Sequence, residues 1–597
     1  MVPHVFRVER SLSGKAWVWR GGEASDGLTR DEMIRRLFLT RGARPEEIDT
    51  LMAPTIRDLL PDPSIFQDMD RAAARTADAI QRGERIVIFG DYDVDGATSS
   101  AVLIRALSLF GASAGHYIPD RLLEGYGPSG DALVRLKQDG ADLVICVDCG
   151  TQAFEALGMA EDAGLETIVV DHHKAGTELP PTAALVNPNR LDESGEGQRF
   201  GHLAAVGMAF LLAVAIRREL ASRNHFTGSP PNLMGLLDLV ALGTVADVVP
   251  LTGLNRAFVT QGLKVMGRRG NAGLCALADV ARLERAPQSS DLGFLLGPRI
   301  NAGGRVGKAD LGVRLLSGAH DGDCAAIADE LNRLNEERRA IEAEVTDSAL
   351  AAAERAGNMP VAVVSGEGWH PGVIGIAASR LKDRLGRPAI VIGTDGGIGK
   401  GSGRSVSGVD LGAAVLAAKD AGLLSAGGGH AMAAGLTVAE DNIPALTAFL
   451  CERLEQQVAR AEAERSLAVD LGLSAGGVTP GLAELLETAG PYGAGWPGPR
   501  VAVGSVAVVD CGVVGNGHVR AVLLGADGKR LKGIAFRAED TPLGAALLSA
   551  HGRRLNLVGR VKRDDWQQVP RAELHIEDAA WADRGVQAAT AEHPRAA

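Results

Sequence analysis

The sequence predicts a multidomain α/β protein: a parallel-sheet domain, a long helix, a smaller second α/β domain and a small C-terminal β-barrel. Three patterns carry that expectation. Apolar runs alternate with helical stretches between about residues 61 and 250; helical composition runs unbroken from Ala325 to Arg355; short strands with hairpin signals begin near 465. A length of 597 residues is itself more than one core usually serves.

Residues 1 to 60 hold short amphipathic pieces, Arg30 to Leu39 and Pro45 to Leu51, which read as an N-terminal cap or docking segment. The alternation follows: Ile86–Phe89 then Ala97–Phe110, Leu143–Val147 then Ala153–Ala163, then Thr167–Val170. Met234 to Val249 is apolar and helical in character. PRINAGGRVGK at 298–308 reads as a Gly-rich basic loop between helices. In the long helix, Leu331, Leu334, Ile341 and Val345 form one stripe and Glu336, Glu337, Arg339 and Glu344 the other, the pattern of a rigid connector. The second α/β unit begins near Met359, with strands at Val361–Ser365 and Ala389–Ile392 and a Gly/Ser loop or strand at Gly399–Val406. Strands near Val506–Val509, His518–Leu524, Lys532–Phe536 and Leu555–Val561 suggest a barrel of roughly 100 residues, with a turn at Ala526-Asp527-Gly528.

Composition narrows the function classes. Net charge is −12, which argues against bulk adhesion to nucleic acid or to an acidic membrane and leaves room for a local basic groove. No apolar run is long enough for a membrane span, and the N-terminus has no apolar signal region, so a cytoplasmic protein is expected. Six cysteines are too sparse for a disulfide scaffold. Cys146 and Cys149 form C-x-x-C, but the first lies inside an apolar run, which favours a buried strand residue over a redox pair.

The chemistry is positional. Three apolar runs end in acids or histidines: Asp91-Tyr92-Asp93-Val94-Asp95, Asp148, and Asp171-His172-His173. In an open α/β sheet, ligands bind beyond the carboxyl ends of the strands, so these tips converge on one crevice. Asp247, in LGTVADVVPL, closes the set. Carboxylates with a few imidazoles and no thiolate suit Mn²⁺ or Mg²⁺. Five or more ligands exceed what one catalytic ion needs, and two ions about 3.5–4 Å apart can share a carboxylate for attack on phosphorus. Any one acid could instead be a helix cap, Asp95 being the obvious candidate; three tips in register favour a site.

DYDVDG, VDCG, VDHH and ADVVPL together resemble the DHH phosphoesterase superfamily. GPRINAGGRVGKAD, SGEGWHPGVIGIAASRL, GSGRSVSG and GGGHAMAAG narrow the likeness to the RecJ family of single-strand-specific 5′→3′ exonucleases, from about Ile56 to Trp581. The resemblance implies a DHH catalytic domain (61–325), a connecting helix (326–356), a DHH-associated substrate-binding domain (357–460) and an OB-fold (465–582), flanked by the N-terminal segment (1–60) and a tail (583–597) expected to be frayed and disordered. It also implies that Asp93, Asp95, Asp148, His172 and Asp247 hold two divalent ions, Mn²⁺ or Mg²⁺, with Asp148 shared. His173 would touch the scissile phosphate or complete the metal site, while Asp91 and Asp171 would brace it. Arg121, Arg299, Asn301 and Arg305 would face the strand backbone; Arg suits phosphate because its planar fork donates two bonds at once. Ser402, Arg404, Ser405 and His430 would hold the 5′ end in a Gly-rich anion pocket. Trp566 on the OB-fold could stack a base.

The same resemblance implies single-stranded DNA as substrate, 5′-mononucleotide products, a role in DNA recombination and repair, a single-strand-binding protein and a helicase as partners, and a monomer. PYGAGWPGP at 491–499 departs from the family pattern, with Trp496 where a small polar residue is usual, and puts the local docking geometry in question. Small-substrate DHH phosphodiesterases, acting on nanoRNA or cyclic dinucleotides, are the alternative, but they typically lack the OB unit. Non-catalytic replication relatives have eroded metal motifs; here every candidate ligand is present.

Overall fold

The computed structural model describes residues 4–23, 27–121, 124–318, 321–550, 552–564 and 570–582. Trp566 and the tail after residue 582 lie outside the described residues. The chain divides into two compact units, one of Met1–Pro54 with Glu464–Ala597, the other Thr55–Ala463. No helix among the described residues is long and apolar enough to cross a membrane.

The larger unit opens on a five-stranded, all-parallel sheet in the order Ala114–Tyr117, Ile86–Gly90, Leu143–Val147, Glu166–Val170, Ala184–Val186. Its central strands are buried along their whole length, which is why they read as unbroken apolar runs rather than alternating ones. One face packs Val87, Phe89, Val144, Cys146 and Val169 against helices Gly130–Gln138 and Phe154–Asp162 through Leu133, Leu157 and Ala160. Cys146 and Cys149 belong to this core as free, buried thiols. Burial pushes Cys146 up to about 12, the reverse of a reactive thiolate, so the redox reading has no support.

The helix Asp321–Ala356 runs for 36 residues. Toward its start, Leu331 and Leu334 lie against Gly303 and Gly307. Toward its end, Val345, Ala349 and Ala353 pack on the second sheet through Val364 and Val391 and on the helix Pro371–Leu385 through Ile374. That sheet has the order Ala426–His430, Ala433–Ala439, Ile398–Arg404, Ala389–Asp395, Ala362–Glu367 and is antiparallel except for its last pair. Gly399, Gly401 and Gly403 alternate along one strand because a Cβ there would stand 2.7 Å from Ile392, Leu436 and Leu411 respectively. Period-2 geometry therefore sends Lys400, Ser402 and Arg404 to the other face.

Residues 298–308, expected as a loop, are mostly helix, Gly297–Val306, entered from a π-helical turn at Leu292–Leu296. Its glycines serve close approach rather than turning: a Cβ on Gly304 would lie 2.7 Å from the Tyr92 carbonyl oxygen, and one on Gly303 2.9 Å from that of Lys308.

In the smaller unit, strands Val501–Val514, His518–Leu524, Arg530–Ala535, Arg571–Trp581 and Arg554–Asp564 close into a barrel, the last pairing back on the first. The final strand, Arg571–Trp581, was not among the sequence candidates. The N-terminal segment is part of this unit: Ala16–Trp19 pairs in parallel with Ser466–Val469, and the buried Trp17 donates its indole N–H to Asp578 at 3.0 Å. Trp496, where the sequence departs from the family pattern, is buried with its ring centroid 5.1 Å from that of Phe38.

Candidate metal centre and strand-binding pocket

Each acid is placed by the end of a regular element. Asp93 follows the strand Ile86–Gly90 and caps the helix Val94–Leu109, its Oδ1 accepting the N–H groups of Asp95 at 2.8 Å and Gly96 at 3.1 Å. The cap is thus Asp93, not Asp95 as the sequence suggested. Asp95, 1% exposed, instead accepts the N–H groups of Ala205 at 2.7 Å and Val206 at 2.9 Å, at the positive end of helix Ala205–Ser222. Asp148 leaves the strand Leu143–Val147 with a left-handed backbone, φ 60°, which Asp tolerates better than most residues. Asp247 is the C-cap of helix Leu237–Ala246.

His172 faces Asp95, Asp148 and Asp247. Its Nδ1 lies 3.0 Å from the Leu203 carbonyl, which assigns the ring proton to Nδ1 and leaves Nε2 as a lone-pair donor. That Nε2 stands 3.4 Å from Asp148, 3.6 Å from Asp247 and 3.9 Å from Asp95. His172 Nε2, Asp247 Oδ2 and Asp91 Oδ1 are buried atoms with no hydrogen-bond partner among the described residues. Ligand atoms of Asp95–His172–Asp247 lie within 4.8 Å of one another, as do those of Asp91–Asp93–Asp148 and of Asp148–His172–His173.

Burial, then repulsion from Asp93, pushes Asp91 to about 8 and Asp247 to about 7. Burial and the neighbouring acids push Asp95 and Asp148 well above the carboxylate range. Burial and the nearby His173 lower His172, keeping the imidazole neutral, its ligand form. Buried acids facing one another with orphaned acceptors fit hard divalent cations.

Asp171 behaves in the opposite way. Burial alone would raise it, but the hydrogen bond and charge of His173 outweigh burial and pull it down. Its oxygens accept from His173 Nδ1 at 2.7 Å, from the His172 N–H at 2.7 Å and from the Thr151 N–H at 3.1 Å, so it braces the histidine pair. His173 is raised in turn, although burial opposes it.

Asp91, Asp93, Asp148, Asp247 and His173 line a cavity of about 360 Å³, with Asn301, Arg121 and Arg305 on its wall. Arg121 stacks on Tyr92, its guanidinium carbon 5.0 Å from the ring centroid. Arg121 and Arg305 also line a second cavity of about 620 Å³, whose far side holds Lys400, Ser402 and Arg404. Burial lowers Arg305 to about 10, a sign of how little else compensates its charge.

Three of the residues that the sequence analysis placed at the substrate line neither cavity. Arg299 donates to Asn332 at 3.0 Å and to the Leu295 carbonyl at 2.7 Å. Ser405 is buried and donates its hydroxyl to the Val409 carbonyl at 2.7 Å. His430 is exposed at the end of its strand.

Asp91, which the resemblance placed as a brace, joins a ligand group. Sequence reasoning also passed over several residues. Tyr126 donates to the Asp148 carbonyl at 3.1 Å. Asn187 and Asn189 bond the His173 and His172 carbonyls. The asparagines follow Ala184–Val186 as the acids follow their strands, so the strand-tip rule could have found them.

The fold and these tips define a DHH-family protein: the family model described as "DHH family, N-terminal domain" matches residues 85–244, "DHHA1 domain" 358–456 and "RecJ OB domain" 469–578. The chain is 34% identical over 554 residues to "Single-stranded-DNA-specific exonuclease RecJ" of Bacillus subtilis, covering 92% of this chain and 68% of the relative. With the protein of that name from Dickeya dadantii it shares 37% identity, over 85% of this chain and 89% of the relative. A crystal structure of RecJ in complex with Mn²⁺ from Thermus thermophilus superposes with a TM-score of 0.74 at 29% identity, covering 95% of this chain and 76% of that one. The chain belongs to the RecJ family.

Proposed function

We propose that the protein is a metal-dependent, single-strand-specific DNA exonuclease that degrades from the 5′ end and releases 5′-mononucleotides. The observation that carries this reading is the shared wall: Arg121 and Arg305 border both the acid–histidine cavity and the basic pocket of Lys400, Ser402 and Arg404. A terminal phosphate held in the basic pocket sets how far the strand enters, which accounts for polarity and stepwise cleavage.

Asp95, His172 and Asp247 would hold one divalent ion, Mn²⁺ or Mg²⁺, and Asp91, Asp93 and Asp148 the other, with Asp148 within reach of both. When bound, such ions activate water and polarise the phosphodiester. The chain does the rest. Arg121, Asn301 and Arg305 grip backbone phosphates at the cavity wall. His173, fixed through Nδ1 by Asp171, turns the rest of its ring toward the scissile phosphate. Ser402 and Arg404, 3.0 Å apart, form one donor patch for the 5′ phosphate. Arg299, Ser405 and His430 act, on this reading, by supporting elements around the strand.

The family membership and the barrel favour a polymeric substrate over a dinucleotide. We place the protein in the cytoplasm, as a monomer in recombination and repair, with a single-strand-binding protein and a helicase supplying strands. The test is a comparison of rates on a dinucleotide, a long single strand and a blunt duplex with Mn²⁺. Much faster loss of the long strand is expected; a dinucleotide preference, or equal cutting of the duplex, would overturn the reading.

A further inference from the structure

A third cavity, of about 240 Å³, lies at the other end of the helix that presents Asp247. Its buried acid is Asp238, 2% exposed in the first turn of that helix. Asp238 Oδ1 accepts the N–H of Leu239 at 2.8 Å, and no basic side chain pairs with the carboxylate among the described residues. Burial pushes the acid up to about 6, with the Leu239 N–H and the Arg105 charge pulling back. Apolar walls come from Met266, Leu274, Ala278, Leu283 and Pro287.

The arginines of the rim do not solicit an anion, because each already has an acid. Arg269 pairs with Asp279 at 2.6 Å, and Arg285 makes two 2.7 Å bonds to Asp291. The uncompensated charge in the cavity is therefore negative, at the base of an apolar sleeve. A buried carboxylate without a cation beside it is costly, and a charged N–H donor on an aliphatic stem would complement both the acid and the walls.

We propose that this cavity binds a guanidinium or primary ammonium group carried on an aliphatic stem, with Asp238 as its acceptor. That chemistry is shared by a free aliphatic amine and by an arginine or lysine side chain of another protein.

Isothermal titration of the full-length, Mn²⁺-loaded protein tests it with three probes. Agmatine represents the free amine, N-acetyl-argininamide the protein side chain, and N-acetyl-citrullinamide the neutral isostere. Saturable 1:1 binding of at least one cation is expected, with the citrulline probe at least about tenfold weaker than the arginine probe. Tighter binding of agmatine would assign a free amine as occupant; tighter binding of the arginine probe would assign a side chain. Asp238→Asn should weaken binding at least about tenfold. Ala278→Phe, which fills the sleeve without touching the acid, should abolish binding, and thermal melts matching the parent protein's show that both variants fold. No saturable binding by either cation, or equal binding by the two variants and the parent protein, would overturn the proposal.

Discussion

His172 holds its Nδ1 3.0 Å from the carbonyl of Leu203, and this contact decides which nitrogen faces the acids. With Nδ1 committed, Nε2 is left 3.4 Å from Asp148 and 3.6 Å from Asp247, buried and without a hydrogen-bond partner among the described residues. Leu203 lies just ahead of the helix whose first N–H groups hold Asp95. One chain segment thus orients the imidazole and one of the carboxylates together.

Asp148 lies within reach of the ligands of both ions, so Asp148→Ala should remove turnover while single-strand binding survives. Parallel nuclease and strand-binding assays check this. Unchanged activity would contradict a metal centre built on this tip.

Metal-free protein should lose stability as pH rises. Asp91 and Asp247 have folded values near 8 and 7, raised above the ordinary 3.8 by burial and then by Asp93. Native protein therefore binds more protons than unfolded protein between about pH 4 and 8. The contribution is full below pH 4 and lost as pH passes through 7 to 8. The thermal midpoint in EDTA should fall between pH 6 and 8.5, and Mn²⁺ should raise it most at the alkaline end.

Gly96 admits no side chain. A Cβ there would stand 2.3 Å from the Asp91 carbonyl oxygen and 2.6 Å from its amide nitrogen. Gly96→Ala should cost about 1–3 kcal/mol and displace the Asp91–Asp93 tip, so denaturant melts and Mn²⁺ affinity should both decline.

Arg404 and Ser405 are neighbours with different duties. Arg404→Ala should cost roughly 1.5–3 kcal/mol in binding 5′-phosphorylated strands, an effect that 5′-hydroxyl strands should largely lack. Ser405→Ala should leave that discrimination intact and lower the melting temperature, because its hydroxyl serves Val409. Filter binding with both strand types checks the contrast.

The metal tips were legible because parallel strands buried on both faces leave unbroken apolar runs whose last residue marks a ligand site. Less was legible where contacts are distant. Glycines 303 and 304 read as turn formers, yet they sit in a helix pressed against Lys308 and Tyr92. Strand alternation, once the register is known, puts Lys400 beside Ser402 and Arg404 on one cavity wall, which the motif alone does not show. The N-terminal segment gave no local hint that Ala16–Trp19 pairs with Ser466–Val469, because that pairing joins opposite ends of the chain.

The central claim is that the acid–histidine centre cuts a strand threaded from its 5′ end. Digestion of 5′- and 3′-end-labelled single strands with Mn²⁺, Mg²⁺ or EDTA tests it most directly. The 5′ label should appear at once as a mononucleotide, the 3′-labelled strand should shorten gradually, and EDTA should stop both. Early release of the 3′ label, internal cleavage, or activity that survives EDTA would contradict it.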